Sequence, residues 1–402
     1  MASISGTGCC VIDYLYTNID FSSDSFKKYQ SKKRGDGGVN PGHLSFVEAW
    51  EKFAGKPLAE IRKEQGWMCE PDTYNLGGPC IVALVNAAQL TSSMNSRVKY
   101  FGAHGHDKTG KRIRAILEKT PVDISNYKEI KGESPFCVCL SDPNYANGHG
   151  ERCFAINLGT LGMMDSKMLG DDFFKSDILY FGATALTPVL HDHLTSLLRR
   201  GRQEGRVNVV GTVYDHRSQA RNPHGRWPMG ESDDSFKFMD LLMVDWDEAL
   251  HITGTEDINE ACKFFIRMGV SSFTITHGAE RFCAWSGGKL FKPLPISWFP
   301  ICEAVSKDLL AHPEQRGDTT GCGDNFAGGV LGYLSEALGS GKAVGELDLV
   351  EAIVWGTASG GFACFSVGGT YIENKPGEKR QRIDYYMQKY REQIKAGNGA
   401  KL

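Results

Sequence analysis

The sequence predicts an α/β fold, a mostly parallel sheet with helices on both faces, and two observations carry that prediction. Short apolar runs that read as buried strands, "DILYFGA", "VNVVGTVYD", "DLLMVD" and "SSFTITHG", alternate with helix-patterned stretches such as "EACKFFIRMG". Late in the chain, "RGDTTGCGDNFAGG" (316–329) sets a cluster of glycines and two acids just ahead of an apolar, helix-patterned run. With 402 residues and 41% hydrophobic content the chain has enough material for a large core.

In order from the N-terminus, "GCCVID" (8–13) is a short apolar run ending in an acid. It predicts one buried strand whose last residue, Asp13, emerges at the C-terminal edge of the sheet, where α/β sites lie. From about 20 to 74 the chain turns polar and irregular, with a helix-like "LSFVEAWEKF" at 44–53, and reads as an insertion rather than sheet. "NLGGPCIVALVNAAQL" (75–90) puts Gly77 and Gly78 at the entry to a small-residue helix, and "VKYFGAHGHDKTGKRIRAIL" (98–117) gives strand, glycine turn and helix. Two strand patterns joined by a turn-rich loop predict a hairpin at 135–157. The uncharged run between Glu351 and Glu373 is interrupted by glycine, serine and threonine, so it predicts a buried helix and a tight loop, not a membrane span. The tail from Arg391 to Leu402 reads as a frayed end.

A formal net charge of −3 and a pI near 6.4 give no basic surface for nucleic acid, and "KKYQSKKR" (27–34) reads as a solvated surface. The opening residues have no basic region ahead of their apolar stretch, which argues against a secretory signal. The 12 cysteines include no CxxC pair, a usage that suits a reducing cytoplasm better than a disulfide scaffold or a zinc site. "HDH" (191–193) looks metal-like, but residues two apart do not share a helix face, so a surface position is expected.

The glycine cluster carries the chemistry. From Asp324 onward, Phe326, Val330, Leu331, Leu334, Ala337 and Leu338 recur at helical spacing, so the glycines sit at a helix N-terminus. There the first amides lack partners and the macrodipole adds positive charge, so Gly321, Cys322 and Gly323 would form an anion nest. Asp324 beside such a nest admits two readings. Either Asp318 or Asp324 caps the helix and the glycines make a plain turn, or the nest cradles phosphate and the carboxylate takes a proton from an attacking hydroxyl, as phosphoryl transfer requires.

Taken together, these pieces resemble the ribokinase-like, or PfkB, family of carbohydrate and nucleoside kinases. The family signature has the form D-T-x-G-A-G-D followed by F-x-G-G, and this chain reads "DTTGCGDNFAGG", with Cys322 in place of the alanine. Asp13 at a strand end, the pair Gly77 and Gly78, and the spacing of Gly102, Gly105, Asp107 and Gly110 are similar to the family's N-terminal elements. Asp215, Arg217 and Trp227 match a D-x-N-x-R segment with a later tryptophan; "VDWDEAL" is similar to N-x-x-E and "TITHGAERF" to T-x-G-x-x-G.

The resemblance implies a doubly wound, ribokinase-like domain spanning 1–402, with a small β-rich lid drawn from insertions at about 14–74 and 135–157. It implies ATP and Mg²⁺ as cofactors, Asp324 as general base, and the Gly321, Cys322 and Gly323 amides binding the transferred phosphoryl. Asp13, Gly77 and Gly78 would hold the acceptor; Gly278, Arg217 and Thr320 the nucleotide; Glu248 and Asp245 the metal. A monovalent cation such as K⁺ would sit near Ser366, Gly368 and Gly369. Partners would be a small sugar or nucleoside, with a homodimer through the lid, where the edges of the 135–157 hairpin would pair. The first expectation is transfer to a hydroxymethyl group of a free sugar. An adenosine or nucleoside kinase is the alternative, supported by Phe46, Trp50, Phe53 and Trp67 as stacking candidates; a non-catalytic ligand-binding member is a third reading. Several positions depart from the family pattern: Asp245 replaces asparagine, Arg281 replaces a glycine, Val82 stands where asparagine is usual with Asn86 one turn on, and 293–317 is longer than expected.

Overall fold

The computed structural model describes residues 2–33, 35–66, 71–94, 97–145 and 150–397. Its strands are β1 (Ile4–Gly8), β2 (Val11–Tyr16), β3 (Leu44–Phe46), β4 (Thr73–Gly77), β5 (Val98–Gly105), β6 (Tyr127–Ile130), β7 (Phe136–Asp142) and β8 (Glu151–Asn157). The second half adds β9 (Ile178–Gly182), β10 (Val207–Gly211), β11 (Leu241–Asp245), β12 (Ser272–Thr276), β13 (Phe282–Ser286) and β14 (Leu294–Phe299). The longer helices are α1 (Val47–Ala54), α2 (Leu58–Glu64), α3 (Pro79–Leu90), α4 (Lys108–Leu117), α5 (Leu194–Gln203), α6 (Trp246–Thr253), α7 (Ile258–Arg267), α8 (Glu303–Ala311), α9 (Cys322–Gly339), α10 (Leu349–Ala363) and α11 (Glu378–Gly397).

Nine strands form the main sheet in the order β14-β13-β12-β11-β10-β9-β1-β5-β6. From β12 to β6 every pairing is parallel, and β13 runs antiparallel to both its neighbours. The chain winds outward from β1 through β5 and β6, then returns to β9 on the other side and winds the opposite way. This doubly wound order puts a switch point between β1 and β9, and a crevice opens at the carboxyl ends of such strands. Among the described residues no helix is long and apolar enough to cross a membrane.

Helix α9 is held between α3 and α10 by its glycines. A Cβ on Gly328 would lie 2.5 Å from the Ala83 carbonyl oxygen of α3, and one on Gly329 would lie 2.4 Å from the Trp355 carbonyl oxygen of α10. Only glycine permits backbone approach this close on both sides. The charge-free run predicted as a buried helix is α10, followed by an irregular loop.

Several sequence expectations need correction. The run 8–13 is not one strand: Gly8 closes β1 at φ 137°, and Asp13 falls inside β2, which belongs to a second, five-stranded sheet ordered β3-β8-β7-β2-β4. The segment 20–74 is not free of sheet, because it supplies β3 and the start of β4, and Tyr29, in the stretch expected to be solvated, is buried. The predicted hairpin is present as β7 and β8, but β3 and β2 cover its outer edges, so the open edges of the small sheet are β3 and β4. His191 is buried, its ring bonded to the Thr184 hydroxyl (2.8 Å) and the Pro228 carbonyl (3.0 Å). The supposed frayed tail is helical to Gly397: Arg391 pairs with Glu351, and Gln393 donates to the Ile301 carbonyl at 2.9 Å. The long 293–317 segment is β14 followed by α8, whose Asp308 accepts a 2.9 Å bond from the Tyr386 hydroxyl of α11.

Candidate active site

The site gathers where α9 begins, facing the carboxyl ends of β1, β10 and β11 and one face of the small sheet. Gly321 precedes the helix in the left-handed region, φ 73°, and its Cα packs so closely on Gly369 that a Cβ would sit 2.7 Å away. Behind it, the Asn325 side chain donates to the Gly321 and Gly369 carbonyls, both at 2.9 Å, and accepts from the buried Lys379 ammonium at 3.0 Å. Burial lowers the Lys379 pKa to about 7, against the opposing pull of Glu373. Asn86 donates to the Asn325 carbonyl at 2.7 Å, and Val82 lies against Gly369. The two positions noted on α3 thus brace this helix end from behind.

In front, the Gly321, Gly323 and Asp324 amides have no hydrogen-bond partner among the described residues, while the Cys322 amide makes a long, 3.4 Å turn bond to the Thr319 carbonyl. No atom stands within 4 Å of where a Gly323 Cβ would be. An open cluster of N–H groups at the positive end of a long helix is an anion site in form. Asp324 sits in the first turn, and burial pushes its carboxyl pKa up to about 7.

Asp13 reaches the same recess from β2, buried in the small sheet. A Cβ on Gly77 would lie 2.0 Å from its Oδ2, so Gly77 is the space into which the carboxyl fits. Gly78 follows at φ 98°, pressed against Cys9, where the chain steps between sheets. The Asp13 pKa also rises to about 7, chiefly from burial and then from the charges of Asp324 and Asp318, with Cys139 and Arg152 pulling it back. The Cys137 and Cys139 thiols lie with the Asp13 carboxylate in a cluster whose ligand atoms are all within 4.8 Å of one another. Leu44, Phe46 and Phe154 line the same apolar face, and Phe46 meets His216 edge-on at 5.6 Å.

Arg152 on β8, which the sequence reading passed over, ties the two halves of the recess together. Its guanidinium lies 3.0 Å from Asp318 Oδ1 and donates to the Thr319 hydroxyl at 2.8 Å. Asp318 in turn accepts from the Thr320 amide at 2.7 Å and the Gly368 amide at 3.2 Å, so it clamps the signature loop. Nothing in the residue order around Arg152 marks it, because a hairpin arginine is ordinarily solvated.

On the far side, Asp245 ends β11 and caps α6, accepting from the Glu248 amide at 2.8 Å. Glu248 is buried, accepts from the Thr212 hydroxyl, and is pushed up to about 8 by burial and by the Asp245 charge, with Asp324 adding to it. Gly278 follows β12 at φ 54° with open space around it, and His277 stacks on Trp246 at 4.3 Å. Arg217 is engaged elsewhere, in a two-point ion pair with Asp192 (3.0 Å for one contact). Of the proposed stacking aromatics, Trp50 is buried among Tyr29 and Ile61, Phe53 packs on the same core, and Trp67 lies outside the described residues.

Comparison with known proteins bears on the fold. The fold is shared with a probable sugar kinase from Rhizobium etli CFN 42 (TM-score 0.67, 16% identity, covering 96% of this chain and 98% of that one). It is shared also with adenosine kinase from Sinorhizobium meliloti (TM-score 0.66, 18% identity, 94% and 99% covered) and ribokinase from Thermotoga maritima (TM-score 0.61, 14% identity, 96% and 100% covered). The family model described as pfkB family carbohydrate kinase matches residues 62–375, and the chain belongs to that family.

Proposed function

We propose that the protein transfers the γ-phosphoryl group of ATP to an alcohol group, the hydroxymethyl of a sugar, with Asp324 as general base. The observation that carries this reading is the pairing of unpartnered amides at the head of α9 with a carboxyl whose pKa burial has moved to about 7. A base poised near the working pH both holds the deprotonated form and accepts a proton readily. The acceptor hydroxyl would be oriented by Asp13 and give its proton to an Asp324 carboxylate oxygen as it attacks. The Gly321, Gly323 and Asp324 amides, with Cys322 between them, would hold the negative oxygens of the transferring phosphoryl. Product release would leave Asp324 to return its proton to water.

Asp245 and Glu248 offer only oxygen donors, and their mutual repulsion is relieved by a hard divalent cation. They would hold Mg²⁺ through water, and the ion would neutralise charge on the phosphates. Gly278 and Thr320 would line the nucleotide, and Arg217 would join only by leaving Asp192. The small sheet, strapped to the signature loop by Arg152, would act as the lid over the acceptor. Buried, unpaired thiols suit a cytoplasmic setting.

One observation favours a second acceptor class: Phe46, Phe154 and Leu44 give the Asp13 face apolar area that the base of a nucleoside would cover. ADP release with Mg-ATP against a panel of free sugars and nucleosides decides between them. Turnover with a free sugar supports the first reading, turnover restricted to nucleosides the second, and none with any acceptor overturns both.

A further inference from the structure

Among the described cysteines only Cys322 and Cys364 are partly exposed; the others are buried. These two also touch, Sγ to Sγ at 3.5 Å, and one of them lies within the anion nest. The segments that carry them are already strapped together. Gly317 donates to the Cys364 carbonyl at 2.8 Å, Asp318 to the Ser366 carbonyl at 3.0 Å, and a Cβ on Gly360 would lie 2.9 Å from the Cys322 carbonyl oxygen. A disulfide requires sulfurs about 2.05 Å apart. Closing the remaining gap requires rotation of the two side chains and a shift at the first turn of α9. The molecule holds its own contrast: Cys262 with Cys283, and Cys137 with Cys139, also approach to 3.8 Å, but inside the core.

We propose that Cys322 and Cys364 form a modification site at which a peroxide joins the two thiols in a reversible disulfide that disables the anion nest. Cys364, partly exposed and outside the anion nest, is the thiol written as reacting first. Its sulfur attacks one peroxide oxygen, the O–O bond breaks, and water leaves behind a sulfenic acid. The Cys322 sulfur then attacks that sulfur, the S–O bond breaks, and a second water departs. In sum, two thiols lose two electrons and two protons, and one peroxide becomes two waters. Drawing the Cys322 side chain toward α10 turns the backbone between Gly321, which is wedged on Gly369, and the open Gly323 and Asp324 amides. The effect on turnover rests on the functional reading above; the disulfide itself does not.

The test treats the full chain with hydrogen peroxide, alkylates free thiols and maps linked peptides by mass. ADP release and the rise in Tm caused by Mg-ATP are followed alongside, before and after dithiothreitol. The expected result is a 322–364 linked peptide, a tenfold or greater loss of turnover and of the ATP-induced rise in Tm, and recovery of both on reduction. Cys364→Ser should keep its basal activity and lose the reversible inactivation, whereas Cys262→Ser should behave as the unmodified chain. The proposal is overturned if no linked peptide forms, if it forms with turnover and ATP response unchanged, or if Cys364→Ser is inactivated equally and reversibly. A chain that releases no ADP before oxidation sinks the kinase reading alone, because the linked peptide and the ATP-induced rise in Tm still decide the site.

Discussion

Asp324 and Asp13 carry carboxyls raised to about 7, yet they are buried by different parts of the molecule. Asp324 stands at the head of a helix locked by glycine between two others, and its burial there is the main cause of its shift. Asp13 stands on the small sheet, and part of its shift is borrowed from the charges of Asp324 and Asp318 across the recess. Because repulsion between the two carboxylates is mutual, the electrostatics of both sides depend on the two halves being together, while each side is buried by its own elements. Arg152 is the physical link, and the same guanidinium that ties the halves also tempers the repulsion between them.

The strongest way to break this contrast is Asp324→Asn. Turnover should fall by about 10²–10⁴, the usual worth of a general base, while the fold stays intact. Stability against pH checks the sign. An acid whose folded pKa is raised from 3.8 to about 7 keeps its proton in the folded state where the unfolded chain has lost it. Its contribution is therefore lost progressively as pH rises from about 4 to 7. Asp324→Asn should flatten that decline in Tm, and an unchanged slope would refute the assigned shift. In the unmodified enzyme kcat/KM should rise with pH through about 7.

Next in size is Gly77→Ala, whose new methyl would enter the space of the Asp13 carboxyl. Overpacking of this kind costs about 1–3 kcal/mol, and KM for the acceptor should rise more than KM for ATP. Equal changes in both would place Asp13 away from the acceptor. A double-mutant cycle of Arg152→Ala with Asp318→Ala, read as stability, should give a coupling of roughly 1 kcal/mol. Zero coupling would mean that the two halves are held by packing alone. The finest test is carboxyl NMR titration: because the repulsion is mutual, the Asp13 midpoint should move down in Asp324→Asn and the Asp324 midpoint in Asp13→Asn. No movement in either would mean that the two carboxyls do not face each other across the recess.

Much of this molecule is written locally in its chain. The four central strand runs, α3 with its two leading glycines, and the signature ahead of α9 are contiguous, and each obeys a short-range rule of period or backbone freedom. The same locality explains the errors. Residues 8–13 read as one strand because apolar patterning does not mark the sheet to which a residue belongs, and Gly8 changes sheets without interrupting the pattern. The tail looks frayed in the sequence because Arg391 and Gln393 find their partners in α10, the head of α8 and the loop before it, far away in sequence.

By itself the sequence determined the α/β alternation, the helix head with its open amides, and the acids Asp13 and Asp324, because periodicity and glycine's conformational freedom act between neighbours. Only the tertiary structure decided that Gly77 makes room for Asp13, that Arg152 ties the small sheet to Asp318, and that Cys322 meets Cys364. Those are contacts between residues dozens to more than a hundred positions apart, and charge, volume and thiol chemistry take effect only once packing has brought them within a few ångströms.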